Sequence, residues 1–227
     1  MTSNSLHAIE GQRDRAEAAV AAATDAVIAA GRAAAGRHWV PATSGNFSVR
    51  IDGGRAAMTR SGVDKGALSA ADILIQPLDA PLLPGSSAEA PLHVALYRAD
   101  PAIGAIFHVH SPAATVLSRL ALEDESAEDA VRLEGWELQK ALKGVRTHEA
   151  VVEVPVFAND QDTVRLAALV DARFAAPREA GLHIAPGYLL AGHGLYAFGA
   201  DAAEAWRHLE ALETLLEQER SYRRSRR

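Results

Sequence analysis

His108 and His110 stand one residue apart at the end of the apolar run Gly104–Phe107. If that run is a strand, alternate side chains leave it on one face, so the two imidazoles lie about 7 Å apart along the backbone and one cation can reach both. Surface or satisfied core histidines are the ordinary alternative for such a pair. A third imidazole, His193, lies between two glycines in Gly192-His193-Gly194, directly after the apolar Tyr188-Leu189-Leu190. Flanking glycines allow a sharp turn and the close approach of other groups. Strand ends are where α/β proteins assemble sites, and three neutral imidazoles around an open position would make a catalytic rather than a closed structural metal centre. His93, His183 and His208 are expected to be structural, and His148 only slightly less so.

Anion binding is suggested by Thr43-Ser44-Gly45-Asn46 and by Ser61-Gly62 with Lys65, because small hydroxyl and glycine residues expose backbone N–H groups and lysine adds charge. As bare patterns, both are more often ordinary turns. Ser87-Ala88-Glu89 precedes a predicted helix, so Glu89 could be a carboxylate near a positive helix end. Glu137, in Glu134-Gly135-Trp136-Glu137-Leu138, reads equally well as a surface acid.

Placing these groups takes strands and helices in alternation, and the texture of the chain supplies them. The alanine-rich stretch Arg13–Ala35 predicts a helix ended by Gly36. Phe47–Ile51, the turn Asp52-Gly53-Gly54 and Arg55–Thr59 predict a hairpin. Further strands are expected at Ile73–Ile75, Gly104–Phe107, Val151–Val156 and Gly187–Ala191. Helices are expected from Pro91, over Ala113–Leu120, from an Asn-Asp cap at Asp160 to Phe174, and from Asp201 to about Tyr222. Glu137–Leu142 reads as a short helix or turn, and Glu123–Asp129 as a solvated acidic loop. Interleaved strands and helices make the class α/β with a mixed sheet.

With 227 residues, 48% hydrophobic and 23% charged, the chain has the composition of a globular protein and the length of a single domain, 1–227. Residues 1–11 and 223–227 are expected to be tails. A net charge of −6 argues against nucleic acid as a partner, and the basic run Arg220–Arg227 reads as a solvated helix end. There is no cysteine, which excludes disulfides, thiolate metal sites and a cysteine nucleophile and fits a reducing compartment. No run of about 18 uninterrupted apolar residues occurs, so neither a membrane span nor a signal peptide is expected and the location should be cytoplasmic.

Taken together, the motifs resemble the class II aldolase/adducin family from about Trp39 to about Glu217. They occur in order as Thr43–Ser48, Thr59–Gly62, Ser87–Glu89, His108–Ser111, Gly135–Ala141, Thr147–Ala150, Asn159–Asp162 and Gly192–Tyr196. The resemblance implies a three-layer α/β/α fold, commonly a fourfold-symmetric homotetramer with sites near subunit interfaces. It also implies a divalent cation, usually Zn2+, on His108, His110 and His193. Ser44, Gly45, Asn46, Ser61, Gly62 and Ser87 fall where the family cradles a sugar phosphate. Glu89 falls at the acid/base position of the aldolases and Glu137 at that of the dehydratases. The Ser86–Glu89 segment lacks the usual leading proline, and Val63 stands where lysine is frequent.

Within the family, the Glu137 segment and Asn159–Asp162 are most similar to a dehydratase branch acting on a methylthio ketose phosphate in methionine salvage. Retro-aldol cleavage of a ketose 1-phosphate is the alternative. A non-catalytic scaffold of the adducin kind would be free to lose metal ligands, and this chain keeps all three. Trp39, Trp136, Tyr196 and Phe198 are candidates for an apolar pocket, although core packing explains them equally well.

Overall fold

The computed structural model describes residues 3–123, 130–176 and 181–226. Helix α1 (Ser3–Gly36) leads into the hairpin β1 (Asn46–Arg50) and β2 (Arg55–Thr59), then β3 (Ile73–Pro77). Next come α2 (Ala90–Ala99), β4 (Ala105–Val109), α3 (Pro112–Glu123), β5 (Ala130–Leu133) and β6 (Val151–Phe157). The chain ends with α4 (Thr163–Ala175), β7 (Leu182–Ile184), β8 (Gly187–Leu190), β9 (Gly194–Gly199) and α5 (Ala202–Ser225).

Among the described residues nine strands form one sheet in the order β3-β2-β1-β4-β9-β8-β6-β5, with β7 beside β6. Pairing is antiparallel except that β6 runs parallel to β7 and β8, so the sheet is mixed, as expected. Alternation sends Phe47, Val49, Phe107 and Val109 into one apolar cluster with residues of α1, α3 and α5, while Ile106, Tyr188 and Tyr196 join residues of α2 and α4 on the other face. The result is the three-layer α/β/α arrangement.

Three strands escape the sequence reading, and one of them, β9, is central. Gly194–Gly199 has glycine at both ends and no clean alternation, yet it lies between β4 and β8. Helix α1 begins at Ser3 rather than Arg13, so most of the segment expected to be a tail is helical. Likewise α5 runs to Ser225, three residues beyond its expected end. The cap of α4 is Asp162, whose carboxylate accepts from the Arg165 N–H at 3.0 Å; Asp160 instead accepts from the Asp162 N–H in the turn before. Of the expected acidic loop, Glu123 closes α3 and 124–129 lie outside the described residues.

Glu10–Gly36 is long and apolar enough, by length and composition alone, to cross a membrane, although Asp25 interrupts its apolar run. Here Ala23, Val27, Ala30 and Ala34 are buried in the core cluster that includes Phe47 and Val49.

Candidate metal centre

β4 carries His108 in the middle of the sheet, with Asn46 of β1 and Tyr196 of β9 as its lateral neighbours. His110 follows two residues on, just past the end of the strand, with its backbone N–H donated to the Trp39 carbonyl at 2.7 Å. His193 occupies the turn between β8 and β9, held by its own N–H on the Leu190 carbonyl and by the Thr115 hydroxyl on its carbonyl. Because β9 returns beside β4, this turn brings His193 back to the end of β4. Glu89 immediately precedes α2, but its side chain makes no capping bond and turns to the histidines instead.

The three Nε2 atoms form a triangle with edges of 2.8, 3.0 and 3.3 Å. Tetrahedral bonds of about 2.05 Å to one zinc ion would set such edges near 3.3 Å. The Nδ1–H of His108 donates to the Leu195 carbonyl at 3.0 Å, and that of His193 donates to Asn159 Oδ1 at 3.1 Å. With Nδ1 carrying the proton in His108 and His193, their Nε2 lone pairs are bare and converge beside His110 Nε2, an arrangement that a cation between them makes favourable. Glu89 Oε1 lies 2.9 Å from His193 Nε2 and Oε2 lies 3.6 Å from His108 Nε2. Glu89, His108, His110 and His193 can therefore hold one metal ion.

Electrostatics agree with this donor set. Burial pushes the His108 imidazole well below its ordinary range, and burial with the neighbouring His193 brings His110 down to about 4. Both are neutral at physiological pH, as ligands must be. Burial alone would raise the Glu89 carboxyl. Hydrogen bonding at its oxygens, from the Asn46 amide among others, outweighs it and holds Glu89 well below the usual carboxylate range.

The residues expected around the phosphate gather next to this cluster. Ser44 and Gly45 lead into β1, and the Ser44 hydroxyl oxygen is buried without a partner. The Ser61 N–H donates to the Gly85 carbonyl and Arg60 bridges to Ser86, so the Ser61-Gly62 and Ser86-Ser87 loops lie side by side. Asn46, Ser86 and Ser87 line one small cleft. Two side chains of these segments are engaged within the protein. Asn46 spends its amide on Glu89 and His93. Lys65 is buried, and its ammonium donates to the carbonyls of Thr43 and Val63 at 2.8 Å each, tying the two loops together from beneath instead of facing an anion.

Glu137 does not join the histidines. It begins the 3₁₀ turn Glu137–Ala141, with a side chain 72% exposed and paired to Lys140 and His148. The hydrogen bond from Lys140 outweighs desolvation and lowers its pKa, with the Lys140 and His148 charges adding to the effect. The turn is moored to α5: Trp136 donates its indole N–H to Glu219 at 3.1 Å and meets the Tyr222 ring edge-on. Among the aromatic candidates, Tyr196 is wholly buried, stacked on His108 at 3.9 Å and on Tyr188 at 4.7 Å. Phe198 packs on Phe174, and Trp39 on Trp206.

His93, expected to be structural, is fully buried and linked through Asn46 to Glu89, four residues before it and thus on the same helix face. His208, expected to be structural, is so: Nδ1–H donates to the Phe198 carbonyl and Nε2 accepts from the Lys143 N–H.

Residues 25–219 match the class II aldolase and adducin N-terminal domain, and the chain belongs to that family. Its fold is shared with an L-fuculose-1-phosphate aldolase from Thermus thermophilus, at 28% identity and a TM-score of 0.71 over 92% of this chain and 96% of the other. Nearer in sequence is a methylthioribulose-1-phosphate dehydratase from Bradyrhizobium sp. (strain BTAi1), 60% identical over 209 residues, covering 92% of this chain and 95% of the relative. A protein of the same name from Parvibaculum lavamentivorans is 53% identical over 86% of this chain and 92% of its own.

Proposed function

We propose that this chain is a cytoplasmic hydro-lyase that converts 5-methylthioribulose 1-phosphate to 2,3-diketo-5-methylthiopentyl 1-phosphate in methionine salvage. His108, His110 and His193 would hold one Zn2+ per subunit of a homotetramer. The observation that carries this reading is the convergence of three imidazole nitrogens beside an ionised Glu89 in a chain 60% identical to a dehydratase of that name. When bound, the cation withdraws electron density from the substrate's C2 carbonyl and C3 oxygen, lowering the cost of negative charge there.

The protein's own groups then divide the work. Ser44, through its unpartnered hydroxyl, receives the phosphate together with Gly45, Asn46, Ser61, Gly62 and Ser87 of the adjoining loops. Glu89, held as a carboxylate, orients the substrate or a water by accepting hydrogen bonds. Glu137, ionised at neutral pH, takes the proton from C3. Returning that proton to the departing C4 hydroxyl expels water, and the resulting enol becomes the 2,3-diketone. β4 and β5 are four strand spacings of about 4.8 Å apart. Glu137, just beyond β5, is therefore assigned to the site of a neighbouring subunit. Exposed Val116 on α3 and Val164 and Leu169 on α4 support an assembly that covers them.

The second reading, retro-aldol cleavage, is favoured by one observation: it is Glu89 that sits among the histidines. Incubating the zinc-loaded protein with the methylthio ketose phosphate separates the two. Diketone absorbance is expected, and aldehyde release without it would establish the aldolase. Glu137→Gln should lower kcat by about 10²–10⁴ with KM nearly unchanged. Unaltered dehydration in that variant would remove Glu137 from the mechanism.

A further inference from the structure

Behind the histidine cluster runs a buried chain of polar side chains that the proposed mechanism does not use. The Tyr97 hydroxyl lies 2.8 Å from Ser48 Oγ, which lies 2.7 Å from His93 Nδ1. On the other side of the ring, His93 Nε2 is hydrogen-bonded to Asn46 Oδ1, and Asn46 Nδ2 to Glu89 Oε2. Ser48 and His93 are buried, Tyr97 is anchored by the Arg50 guanidinium 4.7 Å over its ring, and Arg50 also donates to the Tyr97 carbonyl at 2.7 Å.

One boundary condition orients every proton in this chain. A carboxylate only accepts, so the Asn46 amide must turn its NH2 toward Glu89 and its oxygen toward His93. His93 Nε2 must then carry a hydrogen. Burial keeps the ring neutral, with its pKa down to about 4, so Nδ1 accepts from the Ser48 hydroxyl. Ser48, having donated its only hydrogen, accepts from Tyr97. A reversed Asn46 would set oxygen against oxygen at Glu89 and N–H against N–H at His93, both away from water.

We propose that His93 is a positioning residue for Glu89: its Nε2–H locks the Asn46 amide in the one orientation that holds the carboxylate against the cation site. This deepens the reading of the metal centre and rests on Glu89 facing the cation. Two substitutions separate positioning from packing, because each removes the ring but keeps a different nitrogen. Gln places its amide nitrogen near the position of Nε2 and still donates to Asn46, whereas Asn places its own near Nδ1 and cannot reach.

The probe is zinc alone, titrated into apo-protein against a chromophoric chelator. His93→Gln is expected to bind within about threefold of the parent and His93→Asn about 10–100-fold more weakly, the range for loss of a residue supporting a ligand. Their melting temperatures should fall by similar amounts. Nitrogen-15 spectra of the histidine-labelled parent should show His93 as the Nε2–H tautomer. An Nδ1–H tautomer, zinc affinity unchanged in His93→Asn, or affinity lost equally in both variants would overturn the assignment. Glu89→Gln, run beside them, tells whether the underlying reading fails too: it weakens zinc binding if Glu89 faces the ion and leaves it unchanged if not.

Discussion

Glu213 of α5 is an acid enclosed in the core behind Ser111, the residue after His110. Burial pushes its carboxyl from an ordinary 4.5 up to about 7, with Ser111 pulling slightly the other way and Glu217 adding to the rise. One of its oxygens has no partner. Between pH 4.5 and about 7 the folded chain therefore keeps a proton that the unfolded chain has lost. Stability falls as pH rises through that window and levels off above it, by about 3 kcal/mol in all. Glu213→Gln removes the titration, so with metal chelated it should raise the melting temperature at pH 8 and leave it nearly unchanged at pH 4.5. A variant no more stable than the parent at pH 8 would show that the buried carboxyl is better solvated than its surroundings indicate.

At the scale of elements, the return of β9 against β4 sets the site, and it depends on Gly194. A Cβ there would lie 2.1 Å from the Val109 carbonyl oxygen and 3.2 Å from His108 Cε1. Gly194→Ala should cost about 1–3 kcal/mol through that collision, and it should also weaken metal retention by displacing His108. Gly192→Ala is the control, since a Cβ there meets nothing within 4 Å and only its positive φ of 66° is strained. Thermal melts and metal content of the two purified variants check the contrast. The same glycines explain why β9 was illegible. They signal a loop in sequence, but Gly194 and Gly199 are small because backbone passes against them, which is a fact about neighbours far along the chain. The histidines were legible because each lies where an apolar run stops, a local signal. His93 was not, since an imidazole on an apolar helix face looks the same whether it fills space or supports a carboxylate.

For the whole molecule, sequence and fold leave Glu137 on a different part of the sheet from the ion it is proposed to serve. If neighbouring subunits complete each other's sites, two inactive variants should rescue each other. Glu137→Gln and His193→Ala, unfolded together in equal amounts and reassembled, should recover about a quarter of parental turnover, the random share of sites with both groups intact. No recovery, with mixed assemblies confirmed by mass, would place both groups in one subunit. The motifs name the histidines, Glu89 and Glu137 as one set, and the chain by itself brings together the histidines and Glu89 only; a single chain's pattern does not say whether Glu137 would meet them across a boundary.

The mooring of Trp136 to Glu219 and Tyr222 gives the last turns of α5 a further meaning. Those turns lie outside the sheet, yet they hold the turn that begins with Glu137. With Glu137 as the base of the proposed function, trimming this end of the helix would spare the architecture while slackening the reach of one subunit toward the next. On that proposal the helix end is a throttle, a place where clipping or sequence drift would slow turnover without dismantling the fold.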